Sequence, residues 1–283
     1  MTVTRLGLIG DNIARSRSPR LHIEAGRLCG LEVTYERLIP RDMGLDFSAV
    51  FERCASEGFA GINITYPYKE EVVSRLHVPD PATAVIKACN TVVFGQAAPE
   101  GHNTDCSGFV SAFRARFGSG APGRVAMAGA GGVGKAVAFA LARLGASELR
   151  IFDRDAAKAQ GLVDALVEAR TGIRVVVAPS IEDAVLKVDG LVNSTPLGMV
   201  GYPGTAIPAA MIDGASWAFD AVYTPVDTQF LRDASDRGVE IISGYELFFH
   251  QGIDAFSIFT GRRVDAAALR AALASEELAS ASP

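Results

Sequence analysis

The chain has 283 residues, of which 49% are hydrophobic and 21% charged, and its formal net charge at pH 7 is −5. A chain of this length exceeds the usual size of one domain, so we expect two. The acidic balance argues against nucleic acid or an anionic membrane surface as a partner.

The first hundred residues alternate between strand-like and helix-like segments. Strands are predicted at residues 5–10, 33–39 and 61–65, and helices at 18–30, 47–58 and 69–76. This alternation is typical of βαβ units, whose strands form a parallel sheet.

From residue 124 onward the alternation becomes tighter. Strands are predicted at residues 124–128, 148–155, 173–178, 189–195, 216–223 and 239–243, with helices at 135–145, 156–172 and 181–188. Six strands is the number in a full dinucleotide-binding sheet. A long apolar helix at 244–261 and an amphipathic helix at 264–279 follow, and the tail "SASP" is predicted to be frayed.

These elements predict an α/β protein of two domains. An N-terminal α/β substrate domain covers residues 1–105, and helices within residues 244–283 complete it. A Rossmann-type, doubly wound dinucleotide-binding domain covers residues 106–243.

The segment GAGGVGKA fits two phosphate-binding signatures. As G-x-G-x-x-G, its glycines are Gly129, Gly131 and Gly134, which form a dinucleotide fingerprint. As the P-loop of a nucleotide hydrolase it is incomplete, because Ala136 stands where a magnesium-binding hydroxyl is required. The segment lies between a predicted strand and helix, and Asp153 follows where an acid for the ribose is expected. We therefore favour the dinucleotide interpretation over both a P-loop and a glycine-rich turn that binds nothing.

The cofactor preference depends on the residues that follow the second strand of this domain. Asp153 would accept hydrogen bonds from the ribose hydroxyls and repel a 2′-phosphate, which favours NAD, while Arg154 softens the repulsion and leaves NADP as a second cofactor. The predicted loop contacts to the cofactor are Gly129, Ala130, Gly131, Gly132, Val133 and Gly134.

Two segments of the first domain carry candidates for proton transfer, which oxidation of an alcohol requires. GINITYPYKE places Thr65 and Lys69 on a turn after a strand, and GHNTDCSG places Asn103 and Asp105 just before a helix. A lysine and an aspartate brought together can share a proton. Only five of the 27 basic residues are lysine, so a lysine that is retained points to a titratable amine, which marks Lys69 and Lys135 as candidates. Spacing alone favours the alternative, a solvated surface lysine and an aspartate that caps a helix.

Cysteine and histidine are sparse. The four cysteines lie far apart without a C-x-x-C pair, and four histidines accompany them, so neither a disulfide framework nor a metal site is expected. The N-terminal apolar run is too short for a signal peptide, and no stretch reaches the length of a membrane span. We expect a cytoplasmic protein without a membrane partner.

Seven segments spread over almost the whole chain resemble the shikimate/quinate dehydrogenase family, in the family's order. They are GDNIARSRSPRLH, GINITYPYKE, CNTVV, GHNTDCSGF, GAGGVGKA, NSTPLGM and YELFFHQGIDAF. The resemblance implies a catalytic Lys69 that exchanges a proton with the C3 oxygen and pairs with Asp105. It implies that the substrate-binding residues are Ser16 and Ser18 for the carboxylate, Thr65, Asn90, Asp105 and Gln251 for the ring hydroxyls, and Tyr223 in the pocket lining. It adds Thr195 and Gly244 to the cofactor site.

The chain also departs from the family pattern. GDNIARSRSP differs from GxPIxHSxSP at Asn12 and Arg15, and Tyr68 stands where phenylalanine is common. The segment DRD replaces the NRT of NADP-dependent members and resembles the NAD-dependent quinate/shikimate branch. Ser18, however, is the residue usual in members that use shikimate.

The resemblance therefore implies an NAD-preferring dehydrogenase for which NADP is a second cofactor. It would reversibly oxidise the C3 hydroxyl of shikimate, quinate or both to the 3-dehydro acid. The alternative is a non-catalytic or aminoshikimate-type ligand-binding member of the same family. The expected partner is a small cyclic hydroxy acid, and the expected assembly is a monomer or a homodimer.

Overall fold

Eleven strands form two separate sheets in the described part of this computed structural model, which covers residues 3–95 and 98–280. The chain divides into a first unit, Met1–Thr104 with Gln251–Pro283, and a second unit, Asp105–His250. The predicted fold class is confirmed: both units are α/β, and the second has the doubly wound sheet.

The sheet of the first unit has five strands in the order β2-β1-β3-β4-β5. They are β1 Thr4–Ile9, β2 Val33–Leu38, β3 Gly61–Ile64, β4 Thr91–Val93 and β5 Glu100–His102. The first three are parallel, as their βαβ pattern indicates, while β4 and β5 are antiparallel additions. The sequence prediction missed these two because three residues are too few to show a period.

Four helices follow the strands of the first unit: α1 Ser18–Leu28, α2 Pro40–Met43, α3 Phe47–Ser56 and α4 Pro81–Ile86. The helix predicted at 69–76 is instead a short 3₁₀ helix, Glu71–Arg75. The Lys69 carbonyl accepts a hydrogen bond from the Cys89 amide rather than from an amide one turn further along. This bond links the start of the segment to another part of the chain. In a regular α-helix the Lys69 carbonyl would instead accept from an amide within the same helix.

The second sheet contains six parallel strands in the order β11-β10-β9-β6-β7-β8, which confirms the predicted number. They are β6 Arg124–Ala128, β7 Glu148–Phe152, β8 Arg174–Val177, β9 Gly190–Asn193, β10 Trp217–Asp220 and β11 Glu240–Ile242. From β6 to β8 the chain adds strands toward one edge of the sheet, and from β9 to β11 it adds them toward the other edge. Ligands of doubly wound sheets bind at the point where this order reverses, here between β6 and β9.

Five helices connect or precede these strands: α5 Thr104–Phe117, α6 Gly132–Arg143, α7 Ala156–Glu168, α8 Ile181–Ala184 and α9 Gln229–Ser235. Asp105 therefore lies inside the first turn of α5, and the prediction that it precedes the helix was wrong. The helix predicted at 181–188 ends at Ala184, and Lys187 beyond it has a φ of +54°, which a right-handed helix does not allow.

The last two helices are α10 Gly244–Thr260 and α11 Ala266–Ser280. The predicted domain boundary at Gly244 is wrong in position, because the units divide within α10, between His250 and Gln251. In the second unit Phe248 stacks on Tyr223, with ring centroids 5.1 Å apart, whereas in the first unit Gly252 packs against Leu21. The end of the "SASP" tail, residues 281–283, lies outside the described residues. Among the described helices, none combines the length and apolar character needed to cross a membrane.

Candidate active site

Ser16 and Ser18 form a buried hydroxyl pair where β1 leads into α1. Their Oγ atoms are 3.1 Å apart, and the Ser18 amide donates to Ser16 Oγ at 3.2 Å. Arg37 Nη2 donates to the Ser16 carbonyl at 2.7 Å and thereby fixes the loop. Because Ser18 is also the first residue of a helix, whose N-terminus attracts negative charge, this corner is suited to a carboxylate.

Thr65 and Lys69 lie on the turn that follows β3. The Thr65 amide donates to the Ile9 carbonyl at 2.9 Å, so this turn packs against the end of β1. Gly10 permits the approach, since a Cβ atom there would lie 2.3 Å from Thr65 Cγ2. Lys69 is only 9% exposed, so its interpretation as a solvated surface lysine was wrong.

Tyr68, next to Lys69, joins the same turn to the loop after β1. Its hydroxyl donates to Asp11 Oδ1 at 2.6 Å, and its ring stacks on Phe47 with centroids 4.6 Å apart. Partial burial, together with the hydrogen bond to Asp11, raises the pKa of Tyr68 to about 12. Tyr68 therefore stays a neutral donor at physiological pH. The sequence marked it as a departure from the family pattern but did not indicate its partner.

Asn90 and Gln251 are 161 positions apart and meet in the first unit. Asn90 Nδ2 donates to Gln251 Oε1 at 3.3 Å and to Thr104 Oγ1 at 3.0 Å. The Thr104 amide donates to Asn90 Oδ1 at 2.8 Å, which fixes the orientation of the buried Asn90 side chain. The cluster offers amide and hydroxyl groups of both polarities, which suits a ligand with several hydroxyls.

Asp105 is the first residue of the second unit and is 5% exposed. It lies in the first turn of α5, where the helix N-terminus stabilises a carboxylate. The alternative that it caps this helix was therefore wrong, because a cap precedes the first turn.

The glycine loop of the second unit joins β6 to α6. Gly129 has a φ of +100°, and a Cβ there would come within 2.8 Å of Ser194 backbone atoms. A Cβ at Gly134 would lie 2.4 Å from the Gly129 carbonyl, so only glycine allows the helix to start this close to the strand. Around Gly131, the residue that precedes α6, no atom of the described residues other than its chain neighbours lies within 4 Å of the Cβ position. That open space beside a helix N-terminus fits a pyrophosphate.

Of the other predicted loop contacts, Ala130 lies in the turn, whereas Gly132 and Val133 are the first two residues of α6. Asp153 holds the turn through the Ala130 amide. Asp153 Oδ2 accepts from the Ala130 amide at 2.8 Å, and Oδ1 accepts from the Asp155 amide at 2.9 Å. Asp153 is half-buried at the end of β7, and Arg154 beside it is exposed. The position of the Asp153 carboxylate suits a dinucleotide whose ribose lies at the end of β7, the second strand of this unit.

Thr195 belongs to a buried network at the ends of β9 and β10. Its hydroxyl donates to Asn193 Oδ1 at 2.7 Å, and Asn193 Nδ2 donates to Asp220 Oδ1 at 2.9 Å. Asn193 and Asp220 are fully buried, and Thr195 lies beside Gly129 of the glycine loop. Sequence analysis missed both residues, although a polar residue at the end of each apolar strand was a usable signal.

Tyr223 and Gly244 also lie in the second unit. Tyr223 stacks on Phe248 of α10, and Gly244 begins that helix where a Cβ would come within 2.5 Å of the Val222 carbonyl. The strand-end segment and α10 thus touch through backbone atoms at a glycine. Among the described residues, no group of three or more His, Cys, Asp or Glu side chains is placed to hold a metal ion.

The fold and these residues define a two-unit α/β protein with a Rossmann-type dinucleotide-binding unit. The sequence profile of the shikimate dehydrogenase substrate-binding domain matches residues 8–92. A quinate/shikimate dehydrogenase (NAD⁺) of Corynebacterium efficiens is 38% identical over 272 residues, which cover 94% of this chain and 96% of the relative. A shikimate dehydrogenase (NADP⁺) of Arthrobacter sp. is 35% identical over 277 residues, with coverages of 94% and 92%.

Two solved structures match at least 95% of this chain. Quinate dehydrogenase from Corynebacterium glutamicum, in complex with NAD, superposes with a TM-score of 0.86 at 35% identity, covering 97% of this chain and 100% of that one. Shikimate 5-dehydrogenase from Thermus thermophilus, in complex with NADP(H) and shikimate, gives 0.82 at 32% identity, with coverages of 95% and 98%. The chain belongs to the shikimate/quinate dehydrogenase family, which confirms the resemblance seen in the sequence.

Proposed function

We propose that this chain oxidises the C3 hydroxyl of shikimate, quinate or both to the 3-dehydro acid, reversibly and with NAD preferred over NADP. The observation that carries the proposal is the buried Lys69, which belongs to the same unit as the Asn90–Gln251 cluster and the serine pair. A lysine is seldom buried without a task for its amine. The names of the relatives agree with a cyclic hydroxy acid as substrate.

The first unit supplies most of the contacts to the acid. Ser16 and Ser18 would hold the carboxylate with their paired hydroxyl groups at the start of α1. The ring hydroxyls would be bound by Thr65, Asn90, Asp105 and Gln251, with Tyr223 against the ring. These groups both donate and accept, so each sugar-like hydroxyl can find a partner of either polarity.

Lys69 and Asp105 would handle the proton. As the C3–H bond breaks, the hydroxyl proton passes from the C3 oxygen to Lys69 Nζ, and the ketone forms without a negative charge building up on oxygen. A carboxylate near the resulting ammonium stabilises it, which is the role of Asp105. When bound, NAD supplies the acceptor for the hydride that leaves C3.

The second unit would hold the cofactor. The amides around Gly131 and Gly132 lie at a helix N-terminus and suit the pyrophosphate, with Ala130 and Val133 beside them. Thr195 would belong to the same cofactor site, and Gly244 would lie near the nicotinamide. The Asp153 carboxylate is anchored by the Ala130 and Asp155 amides and retains lone pairs for the ribose hydroxyls. Its negative charge opposes a 2′-phosphate, so NAD is preferred, while Arg154 keeps some NADP use.

Steady-state assays with each acid and each cofactor test the proposal. We expect reduced nicotinamide to form from shikimate or quinate, with a higher kcat/KM for NAD than for NADP. No turnover of either acid would contradict the proposed activity. Calorimetric binding of an acid without turnover would instead support the non-catalytic alternative.

A further inference from the structure

Two segments of the first unit carry residues proposed to bind different groups of the acid. The loop after β1, residues 10–17, contains Ser16 for the carboxylate, and the turn after β3, residues 65–69, contains Lys69 for the C3 oxygen. The distance between the two segments therefore decides whether a bound acid presents its C3 hydroxyl to Lys69. Contacts that join the segments are thus candidates for a positioning role.

Main-chain hydrogen bonds join the two segments at the start of the turn. The Thr65 amide donates to the Ile9 carbonyl at 2.9 Å, and the Asp11 amide donates to the Tyr66 carbonyl at 3.2 Å. Gly10 lies between Ile9 and Asp11 and has no room for a side chain, because a Cβ there would meet Thr65 Cγ2 at 2.3 Å. These bonds fix the first residues of the turn, whereas the proposed catalytic lysine lies at its other end.

The Tyr68 side chain makes a second connection, directly next to Lys69. Its hydroxyl donates to Asp11 Oδ1 at 2.6 Å, and its ring stacks on the buried Phe47 with centroids 4.6 Å apart and an interplanar angle of 12°. Because the stacking fixes the direction of the ring, little freedom is lost when the hydroxyl bonds to Asp11. A hydrogen bond to a carboxylate is also stronger than one between neutral groups. Partial burial and Asp11 raise the pKa of Tyr68 to about 12, so the hydroxyl keeps the proton that it donates.

Asp11 thus contacts the turn twice, with its amide at Tyr66 and with its carboxylate at Tyr68. We propose that Tyr68 is a positioning residue for the substrate site. Through Asp11 it holds the turn that carries Lys69 at a fixed distance from the loop that carries Ser16. The inference rests on the proposed function, since it concerns how one acid contacts both segments. The predicted consequence of losing the bond is weaker binding of the acid, with the cofactor bound as before.

Tyr68→Phe removes the hydroxyl and retains the ring that stacks on Phe47, so it tests the bond with little effect on packing. We expect the KM and the calorimetric Kd for the acid to rise about fivefold, while the Kd for NAD stays within about twofold of the wild-type value. A residue needed only for packing would instead lower the midpoint of urea unfolding and leave the KM unchanged. Tyr66→Phe is the matched control, because it removes a tyrosine hydroxyl from the same turn at a residue that is 68% exposed. It should leave all values near those of the wild-type protein.

Substitutions of Asp11 show whether the effect depends on the bond. Asp11→Asn retains a carbonyl oxygen that can accept from Tyr68 and should raise the KM by less than about twofold, whereas Asp11→Ala should match Tyr68→Phe. The double variant, Asp11→Ala with Tyr68→Phe, should be no worse than either single variant, since each removes the same bond.

Two results would overturn the positioning role of Tyr68. One is a wild-type KM and Kd for the acid in Tyr68→Phe, and the other is a double variant in which the two single losses multiply. The wild-type protein is measured in parallel. If it neither binds nor oxidises shikimate or quinate, the proposed function fails and this inference fails with it. An active wild-type protein that Tyr68→Phe matches would contradict the positioning role alone.

Discussion

In the proposed function, the Asp153 carboxylate has both a structural role and a role in recognising the ribose. Both of its oxygens accept backbone amide hydrogen bonds, at 2.8 Å from Ala130 and 2.9 Å from Asp155. These bonds hold the acid in place at the end of β7, so a ribose would meet a preorganised acceptor. They also secure the glycine loop, since Ala130 belongs to it. The charge that we propose to favour NAD therefore belongs to a residue that two backbone hydrogen bonds hold in position.

Replacement of Asp153 by serine tests this assignment. Serine removes the negative charge that opposes a 2′-phosphate while keeping an acceptor for the Ala130 amide. We expect the ratio of kcat/KM for NADP to that for NAD to rise roughly tenfold. Asp155→Ser removes the same charge two residues away and still provides an N-cap for α7, so it should leave the ratio near its wild-type value. An unchanged ratio in Asp153→Ser would remove the residue from the proposed ribose contact.

Sequence analysis located the residues that belong to local patterns. Gly129, Asp153 and Lys69 each follow a strand at a spacing that a chemical task explains, so one sequence suffices to notice them. The residues that pair with each other over long distances in sequence are harder to predict. Asn90 and Gln251 are separated by 161 positions, and no local sequence pattern indicates that their side chains form a hydrogen bond.

At the level of elements, the network at the ends of β9 and β10 contains a fully buried carboxyl group, that of Asp220. Asp220 accepts from Asn193 and the Val222 amide at 2.9 Å each and from the Thr228 hydroxyl at 2.6 Å. Burial nevertheless raises the pKa of Asp220 to about 6, because desolvation outweighs these hydrogen bonds. The same carboxylate orients Asn193 and hence Thr195.

This shift has a defined effect on stability. Between about pH 4 and pH 6 the folded chain keeps a proton on Asp220 that the unfolded chain has released, so the free energy of unfolding falls as pH rises. We expect the wild-type protein to lose about 2 kcal/mol relative to Asp220→Asn between pH 4 and pH 7. Urea unfolding of both proteins at several pH values measures the difference.

The comparison of the two proteins isolates Asp220. Burial lowers the pKa of His22 to about 3, which acts in the opposite direction and destabilises the fold as pH falls below about 6.5, but this effect is common to both proteins and cancels. A constant difference in unfolding free energy between the wild-type protein and Asp220→Asn would show that Asp220 is ionised in the folded state throughout this range.

The elements were predictable where they were long or regular. The six parallel strands follow from the βα rhythm, and their order follows the usual rule for such sheets. The strands β4 and β5 escaped because each has three residues. The α-helix predicted at 69–76 does not form because the Lys69 carbonyl accepts a hydrogen bond from the Cys89 amide. Local helix propensity gives no information about such a long-range contact.

At the scale of the whole molecule, the proposed function assigns substrate binding mainly to the first unit and cofactor binding to the second. The serine pair, Lys69 and the Asn90–Gln251 cluster belong to the first unit, and the glycine loop and Asp153 belong to the second. The sequence predicted this division but placed the return to the first unit at Gly244. The boundary falls within α10 because one uninterrupted helix serves both units, and an uninterrupted periodicity contains no signal for such a division.

The most direct measurement of the central claim follows deuterium from C3 of the acid. Shikimate or quinate labelled at C3 is incubated with NAD, and the reduced nicotinamide is examined by NMR or mass spectrometry. We expect the label in the nicotinamide ring and a slower rate with the labelled acid. Lys69→Ala should bind NAD normally and transfer the label about 10²- to 10⁴-fold more slowly. Reduced nicotinamide without the label, or none at all from either acid, would contradict the account.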